Sequence, residues 1–387
     1  MRKAFKSMLL AIMTLIAGTV AYAQVTTSSM AGRITDTKGE AVPGATVIAV
    51  HVPSGTQYYA VAGNEGRYAI QGMRPGGPYE VTISLLGYEE AKVSNVSLQL
   101  GETKTLSQVL AETSMAIDES VVVANVDAAK TGASQAIGRQ TIEEMPSITR
   151  GIADVARVSP FVRTDQNGGM SFAGASNKYN SFQIDGAMNN DVFGLTNSGS
   201  NGGQAGTQPV SMETIEQIQV SIAPFDVRQS GFTGGSINAI TKSGTNEFHG
   251  SVYGYGYNHD LVGRFTKADG NLSDKYSDEL TYQAGVTIGG PIVKDKLFFF
   301  ASYEKSDKSY PNSYGLGSSQ SKVDKTVAQA VYDFIVKESK AQGYEYTGTL
   351  PSDLQVYTKS DKVTAKFDWN INDRNHASFR YSLVSAK

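Results

Sequence analysis

The sequence predicts a mostly β protein whose C-terminal part is the beginning of a transmembrane antiparallel β-barrel. Three observations predict this class: strands of period two after about residue 248, a composition rich in glycine and aromatic residues, and an export leader. Residues 280–289 alternate strictly between apolar and polar or small side chains, and residues 362–369 and 376–383 repeat the alternation. A strand with one apolar face and one polar face suits a wall between lipid and a water-filled lumen. On 280–289 the apolar positions are Leu280, Tyr282, Ala284, Val286 and Ile288.

The composition agrees with this class and excludes several others. Among 387 residues there are 40 glycines, 20 tyrosines and 15 phenylalanines, which favours turn-rich β structure with aromatic girdles. A net charge of −3 gives no support for a nucleic-acid partner. The absence of cysteine excludes a disulfide framework, a lipoprotein anchor and thiolate chemistry from this sequence. The length predicts two or three domains.

The first 23 residues have the three parts of a secretory signal peptide. Arg2, Lys3 and Lys6 precede an apolar run from Met8 to Ala17, and the small-residue site Ala21-Tyr22-Ala23 follows. The apolar run is too short to cross about 30 Å of hydrocarbon as a helix. We therefore expect residues 1–23 to be cleaved and exclude them from the fold.

Residues 24–111 predict a small β-sandwich, because short β-branched or aromatic runs alternate with turn residues. Four short segments are distinctive: Gly32-Arg33-Ile34, Pro43-Gly44-Ala45-Thr46-Val47, Gly66-Arg67-Tyr68 and Leu86-Gly87-Tyr88. They resemble the carboxypeptidase regulatory-like domain, which is a transthyretin-like or carbohydrate-binding-like sandwich. Because these residues are turn glycines and core positions, we interpret the domain as a structural or docking module. The predicted strands are Met30 to Asp36, Ala45 to His51, Gln57 to Ala62, Arg67 to Gln71, Pro78 to Leu85, Glu89 to Val93 and Thr103 to Leu110.

Residues 112–124 predict a linker that carries a short exposed strand. An extended segment on a tether is able to add to the sheet edge of another protein through main-chain hydrogen bonds. The segment resembles the TonB box of TonB-dependent receptors, which implies the partner TonB with its inner-membrane energising complex. The alternative is the first strand of the next domain. The candidate box consists of Asp118, Glu119, Ser120, Val121, Val122, Val123 and Ala124.

Residues 125–242 resemble the α+β plug domain of those receptors. Residues 213–220 match its Ile-Glu-x-Ile-x-Val signature, and residues 234–242 are close to its closing Gly-Gly-x-Ile-Asn-x-Ile-Thr-Lys. Two helix-like segments, 141–145 and 151–158, and a strand with a turn at 181–186 precede these markers. The polar stretch 189–208 predicts a long loop. By position alone its candidate ligand contacts are Asn189, Asn190, Asp191 and Phe193, and ordinary solvated loop residues are the alternative.

Residues 243–387 predict the first five strands of the barrel, which we place at Phe248 to Asn258, Leu280 to Gly289, Leu297 to Lys305, Lys362 to Asn370 and His376 to Leu383. Short connections at 290–296 and 371–375 alternate with long ones at 260–279 and 306–361, as expected for periplasmic turns and extracellular loops. In the longest loop, Val327, Val331 and Ile335 predict a small amphipathic helix. Five strands leave two unpaired edges, so we expect the chain to end inside a barrel of about 22 strands.

No pattern in the sequence predicts catalysis or a cofactor. The four histidines are scattered without the spacing of a zinc site, and no nucleophile elbow, phosphate-binding loop or dinucleotide fingerprint is present. An oxygen-rich cluster lacks the spacing of a calcium loop. We therefore predict that the protein is not an enzyme and holds no metal. The oxygen-rich cluster consists of Asp269, Asn271, Asp274 and Asp278.

The segment Ser221 to Phe232 resembles the Oar-like branch of the TonB-dependent receptors. This resemblance implies a receptor in the outer membrane of a Gram-negative bacterium, with the sandwich in the periplasm, outer-membrane lipid around it and an unknown extracellular ligand. Two alternatives stay open: a surface adhesion or matrix-binding barrel, and a SusC-like glycan importer with a surface lipoprotein as partner. SusC-like plugs usually close with an Ala-Asn-Gly-Val type run, whereas residues 234–239 read Gly-Gly-Ser-Ile-Asn-Ala.

Overall fold

The protein divides into two compact units in a computed structural model. One unit comprises the residues up to 199 together with 216–241, and the other comprises 200–215 and 242–387. The predicted signal peptide and the candidate TonB box at 118–124 lie outside the described residues, as does most of the Oar-like segment. The described residues are 26–113, 133–147, 149–165, 169–222, 232–264, 266–272, 279–311, 322–348, 350, 355–372 and 375–387.

The N-terminal part of the first unit is a β-sandwich of eight strands. One sheet has the order β4-β1-β7, with β8 also paired to β1, and the other has the order β3-β2-β5-β6. Strands β7 and β8 run parallel to β1, and the other pairs are antiparallel. The strands are β1 (Ser28–Asp36), β2 (Thr46–His51), β3 (Thr56–Val61), β4 (Arg67–Met73), β5 (Gly76–Ser84), β6 (Ala91–Leu98), β7 (Thr103–Thr105) and β8 (Gln108–Leu110).

One predicted strand of the sandwich, 103–110, is wrong because it is broken into β7 and β8. The break occurs where the backbone of Leu106 approaches Gly32 of β1 so closely that a Cβ on Gly32 would lie 1.8 Å from the Leu106 carbonyl oxygen. The Tyr68 hydroxyl donates a hydrogen bond to that carbonyl at 2.7 Å. The Ser107 hydroxyl accepts the backbone N–H of Arg33 at 3.1 Å, in place of a ladder partner. The contact between Gly32 and Leu106 is long-range, and a local pattern does not reveal it.

The sandwich has its own hydrophobic core, and every buried residue of that core lies between Met30 and Leu110. His51 is buried in it beside the ring of Tyr79, with ring centroids 4.9 Å apart. The Nδ1 atom of His51 is hydrogen-bonded to Ser54 Oγ at 2.7 Å. Burial, assisted by the positive charge of Arg74, lowers the pKa of His51 to about 4.

The remainder of the first unit is built around a five-stranded sheet with the order β13-β12-β15-β14-β9, which we call the central sheet. Strand β12 pairs parallel to β15, and the edge strand β9 pairs antiparallel to β14. A small hairpin of β10 and β11 lies outside this sheet. The elements are β9 (Ala133–Gly138), α1 (Arg139–Glu144), α2 (Ile152–Ala156), β10 (Val162–Thr164), β11 (Met170–Phe172), β12 (Ser181–Ile184), β13 (Ala187–Met188), β14 (Ile215–Ile222) and β15 (Gly235–Thr241), with 3-10 turns at Asn177–Tyr179, Gly203–Ala205 and Met212–Thr214.

The second unit contains an antiparallel sheet in which five consecutive strands pair in chain order, which we call the wall sheet. The described helices include none that is long and apolar enough to cross a membrane. The helix expected in the longest loop is present as α3. Its N-cap is Asp324, whose carboxylate accepts the backbone N–H groups of Thr326 and Val327. The elements are β16 (His249–Asn258), β17 (Leu280–Val293), β18 (Leu297–Pro311), α3 (Lys325–Ala341), β19 (Gln355–Asn372) and β20 (Asn375–Ala386).

The predicted ends at Asn258, Leu280 and Leu297 agree with the structure, but others are wrong because the strands continue into the predicted loops. Strand β18 extends to Pro311 and β19 begins at Gln355, so the connection between them is shorter than the predicted 306–361. These extensions are polar and do not show an apolar alternation, but they pair with each other, as in Asp307 opposite Lys359. The Nζ atom of Lys359 lies 3.1 Å from the Asp307 carboxylate. Cross-strand pairing therefore prolongs strands beyond the membrane-facing pattern.

We predict that the sandwich loses stability as the pH falls from about 6.5 to about 4. In that window the unfolded chain binds a proton at residue 51, whereas the folded domain keeps His51 neutral. The loss amounts to about 3 kcal/mol at the low end of the window, since one pKa unit corresponds to about 1.4 kcal/mol. Urea unfolding of the excised domain, residues 24–113, measures the effect at successive pH values. His51→Asn should flatten this part of the profile, and a wild-type profile that is flat over the same window would contradict the assignment.

Candidate functional site

The two faces of the wall sheet have the opposite polarity from those of a soluble protein, in which charged groups are exposed and apolar ones buried. On one face Glu304 is only 4% exposed and Lys362 only 5%, whereas Val286 on the other face is 46% exposed. A sheet with this arrangement suits lipid on the apolar side and a filled lumen on the polar side. The buried polar residues of β18 and β19 are Ser302, Glu304, Ser360, Lys362, Thr364, Lys366, Asp368 and Asn370. The large exposed apolar residues of the opposite face include Leu280, Val286, Ile288, Phe367, Trp369, Phe379, Tyr381 and Leu383.

Glu304 is the centre of a buried hydrogen-bond network on the polar face. It lies directly opposite Lys362 in the ladder between β18 and β19, and the Lys362 Nζ atom is 2.8 Å from its Oε1 atom. Its Oε2 atom accepts the hydroxyl groups of Ser211 at 2.5 Å and Tyr253 at 2.9 Å. A buried ion pair adds little net stability, but the removal of one partner leaves an uncompensated charge at a high cost. The network therefore depends on all of its members being in place.

Residues 200–215, which we call the anchor segment, are hydrogen-bonded to the polar face of the wall sheet. Besides Ser211, Thr207 donates to the Ser360 hydroxyl at 2.9 Å, and Thr214 shares a hydrogen bond with Ser302 at 3.0 Å. The carbonyl of Thr214 accepts the backbone N–H of Lys242 at 2.8 Å, just before the first wall strand. Sequence analysis placed the anchor segment in a loop and the 213–220 motif, and it missed these side-chain contacts, since small hydroxyl residues carry no distinctive pattern.

The predicted ligand residues lie in the loop after β13, where three of them support the backbone. The Asn190 side chain accepts the backbone N–H of Phe182 at 2.6 Å, and the backbone N–H of Asn189 donates to the carbonyl of Phe182 at 2.8 Å. The Asp191 carboxylate accepts the backbone N–H groups of Phe193 at 3.1 Å and Thr196 at 2.7 Å. Desolvation alone would raise the pKa of Asp191, but hydrogen bonds, first those from the two amides, lower it below its usual range.

Phe193 differs from the other three because its ring is not used to shape the loop. It is 81% exposed and lies beside two further exposed apolar residues, Val192 and Leu195. Sequence analysis missed Val192 and Leu195, although their apolar character in a polar stretch was a visible signal. The loop therefore presents a small apolar tip on a hydrogen-bonded base.

The predicted oxygen-rich cluster is only partly within the described residues. Asn271 donates its backbone N–H and its side-chain amide to the carboxylate of Asp269, so these two residues form a closed turn. Asp274 and Asp278 lie outside the described residues. Among the residues described here, no three potential metal ligands come together.

Comparison with known proteins places two domain families on the chain. Residues 29–111 match the carboxypeptidase regulatory-like domain, and residues 240–318 match an outer membrane β-barrel domain. The TonB-dependent transporter Oar of Myxococcus xanthus is 24% identical over 384 residues, which cover 94% of this chain and 34% of that protein. The chain is therefore similar to an Oar transporter along most of its length and contains a carboxypeptidase regulatory-like domain and part of an outer membrane β-barrel domain.

Two further matches concern parts of the Oar-like chain. The probable TonB-dependent siderophore receptor PirA of Acinetobacter baumannii is 34% identical over 101 residues, covering 25% of this chain and 12% of that protein. The outer membrane transporter YddB of Escherichia coli has a TM-score of 0.45 and 16% identity, covering 65% of this chain and 33% of that structure. The chain thus spans about a third or less of the length of these proteins.

The matches confirm several of the sequence predictions. The fold is mostly β, with a carboxypeptidase regulatory-like domain followed later by an outer-membrane β-barrel domain. The match to an outer membrane β-barrel domain and the similarity to a TonB-dependent transporter support the predicted location in the outer membrane of a Gram-negative bacterium. The curated relatives are named as a transporter and a receptor, in agreement with the prediction that the protein is not an enzyme. The domain boundaries, the TonB box and the ligand residues stay predictions.

We predict that Val286→Arg destabilises the wall by about 2–4 kcal/mol, because the exposed face of the sheet contacts lipid, in which an arginine is costly. The measurement is the urea unfolding midpoint of the full-length protein in lipid vesicles. A matched control is Val61→Arg on the exposed face of the sandwich, which should change stability by less than about 0.5 kcal/mol, as is usual at a water-exposed surface. Equal, small effects of the two substitutions would show that Val286 faces water.

Proposed function

We propose that the whole protein imports a ligand across the outer membrane with energy delivered through TonB. In this proposal residues 24–111 are the periplasmic sandwich, 112–124 the tether with the TonB-binding strand, 125–242 the plug domain and 243–387 the first strands of the barrel. The observation that carries the proposal is the buried polar face of the wall sheet, to which the anchor segment is hydrogen-bonded. The similarity to an Oar transporter over 94% of the chain supports it.

The contacts between the anchor segment and the polar face of the wall sheet favour a lumen that is able to open. The described contacts of the anchor segment include hydrogen bonds between hydroxyl, carboxylate and backbone groups, as for Thr207, Ser211 and Thr214. Water is able to replace such partners, because each hydrogen bond between neutral groups contributes only about 0.5–1.5 kcal/mol net and one to a carboxylate about 1.5–3 kcal/mol, which water entering an open lumen partly restores. An apolar filling would instead lose its burial when exposed to water. A polar filling therefore suits a transporter better than a purely structural barrel.

The position of the candidate TonB box suits mechanical coupling to the central sheet. The box is followed after eight residues by β9, an edge strand of that sheet. Among the described strands, β9 pairs with β14, from Ala133 opposite Ile222 to Gly138 opposite Gln217. A pull on the tether first loads this strand, and an edge strand is held by one ladder instead of two. Energy delivered at residues 118–124 would thus reach the central sheet through an edge strand that is held by one ladder.

The ligand is proposed to contact the loop that contains Asn189, Asn190, Asp191 and Phe193. The exposed ring of Phe193 supports this assignment for that residue, whereas the hydrogen bonds of the other three indicate that they hold the loop in shape. An apolar tip favours a ligand with an apolar or aromatic surface. If Phe193→Ser left uptake of the transported solute unchanged, Phe193 would be removed from the ligand site.

We predict that a peptide of residues 117–124 binds the periplasmic domain of TonB from the same cell, because a β-branched strand is able to extend the edge of its sheet. The same peptide with Val122→Pro should not bind, since proline removes a ladder donor. Calorimetric titration of both peptides provides the measurement. In cells, deletion of 118–124 should abolish uptake. If neither peptide binds any TonB homologue of the cell and the deletion has no effect, the surface-adhesion alternative replaces energised import.

A further inference from the structure

The turn between β6 and β7 of the sandwich, residues 99–102, contains a leucine that is buried without being part of the sandwich core. Leu100 is 0% exposed, yet it does not belong to the cluster of buried residues that forms that core. Turns normally lie at the surface of a domain. Leu86, in another turn of the sandwich, is 100% exposed. Leu100 is therefore covered from outside the sandwich core.

The backbone N–H of Leu100 identifies the neighbour of this turn. It donates a hydrogen bond of 3.1 Å to the Oε1 atom of Gln217, which lies on β14 of the central sheet. The Gln217 side chain is itself buried, and buried polar groups in folded proteins are as a rule hydrogen-bonded. The sandwich and β14 belong to the same compact unit. The hydrogen bond therefore joins two parts of one unit.

A second contact lies beside the first one on both partners. Gly76, the first residue of β5, is paired with Leu98 and so lies at the same end of the sandwich as Leu100. A Cβ added to Gly76 would lie 4.0 Å from a carboxylate oxygen of Glu216, the residue directly before Gln217. Two neighbouring points on the sandwich therefore meet two successive residues of β14.

The turn that carries Leu100 is fixed by hydrogen bonds within the sandwich. The Ser28 hydroxyl donates to the carbonyl of Gln99 at 2.6 Å, and the backbone N–H of Gly101 donates to the carbonyl of Thr27 at 3.1 Å. These bonds hold the turn on both sides of Leu100. A contact surface that is ordered in advance loses little conformational entropy when it binds. The turn is therefore suited to dock on another part of the protein.

The contact lies where the ladder between β14 and β9 ends. Gln217 is the ladder partner of Gly138, the last residue of β9. In the chain, residues 114–132 join the sandwich to β9. The backbone N–H of Thr113 donates to the carbonyl of Gly87 at 3.0 Å, so the sandwich holds the chain up to the start of this segment. Both ends of the segment therefore belong to parts that meet at β14.

We propose that the sandwich is docked on the central sheet through Leu100 and Gln217, and that this docking contact limits how far the candidate TonB box is able to reach. The docking contact is a property of the folded protein, whereas its effect on the box rests on the proposed import function. A force applied at the box would act on the docking contact as well as on the ladder of β9.

The limit on reach follows from chain length. Four residues separate Thr113 from the box, which is at most about 17 Å of extended chain, and eight residues separate the box from β9, at most about 30 Å. With the sandwich docked, both distances are measured from one body and both limits apply. After undocking, only the longer limit is still fixed to the central sheet. Undocking would therefore extend the reach of the box.

Docking is tested by the distance between two nitroxide labels on the full-length protein in lipid vesicles. The 387 residues contain no cysteine, so Val109→Cys on the sandwich and Val158→Cys after α2 introduce two thiols into this part of the protein. Both positions are exposed, so the labels do not disturb the packing of the fold. Double electron–electron resonance measures the distribution of distances. A docked sandwich gives one narrow distribution, whereas an undocked one gives a broad distribution.

We expect a narrow distribution in the protein without further changes and its loss in Leu100→Arg, because a charge is not tolerated in a buried contact without a partner. Leu86→Arg is the matched control, since it makes the same change at the exposed leucine and should keep the narrow distribution. A broad distribution without either substitution would overturn the proposal, and so would equal effects of the two. Slow hydrogen exchange in β2 and β5 shows that the sandwich of each variant is folded.

The role of Gln217 is tested by hydrogen exchange at the Leu100 amide, resolved by fragmentation in a mass spectrometer. Gln217→Leu removes the acceptor at similar size, so the amide should exchange at least about tenfold faster, because a buried donor without a partner favours the open state. Gln219→Leu is the matched control. Gln219 lies on the same strand, is equally buried and has no described hydrogen bond to the sandwich, so this variant should not change the exchange rate.

The outcomes are distinguishable from failure of the import proposal. Exchange of the Leu100 amide at the rate of an unstructured chain would overturn the docking contact, and equal acceleration by Gln217→Leu and Gln219→Leu would remove Gln217 from it. None of these measurements requires a ligand or TonB, so a failure of uptake would leave the docking result unaffected. Conversely, an undocked sandwich in a protein whose uptake depends on residues 118–124 would uphold import and contradict the docking.

Discussion

The register between β18 and β19 is the constraint on which the rest of the structure depends. It places Glu304 directly opposite Lys362 on the buried face, and it places Tyr303 opposite Val363 on the other face. A shift by one residue would turn every side chain to the opposite face, with charges towards lipid and apolar groups towards the anchor segment. Neither is tolerable in a membrane wall, because charges in hydrocarbon are costly and unpartnered polar groups are not satisfied there. The buried ion pair therefore specifies an arrangement more than it adds stability.

The same register prepares the surface to which the anchor segment binds. Ser302 and Glu304 on β18, and Ser360 on β19, point to one side and meet Thr214, Ser211 and Thr207. The central sheet has its own ladders and buried apolar residues, and its edge strand β9 follows the proposed TonB-binding tether in the chain. In the proposed importer, the anchor segment and the edge strand of the central sheet are the two mechanical elements. The sandwich, with its separate core, adds an independently stable module before them.

The sequence predicted the features that depend on local periodicity and did not predict those that depend on distant contacts. Period-two alternation identified the wall strands and the apolar face of Val286, Phe367 and Phe379, because neighbouring residues alone decide which side a residue faces. It missed the strand extensions at Asp307 and Lys359. These residues are polar and show no alternation, and they adopt strand geometry because they pair with each other across β18 and β19. It also missed the break at Leu106, which follows from a contact with Gly32. The sequence also did not predict that Glu304 pairs with Lys362. A long connection joins β18 to β19, and its length does not determine the register between the two strands.

The central claim is that the odd positions of β19 face lipid while the even positions face the filled interior. A nitroxide scan tests it most directly, with single cysteines at 363 to 369 of the full-length protein in lipid vesicles. Labels at 363, 365, 367 and 369 should be relaxed strongly by dissolved oxygen and weakly by a water-soluble nickel chelate, because oxygen concentrates in hydrocarbon and the chelate is excluded from it. Labels at 364, 366 and 368 should be protected from both. Strong relaxation by the nickel chelate at the odd positions would contradict the account, since it would place the apolar face of β19 in water.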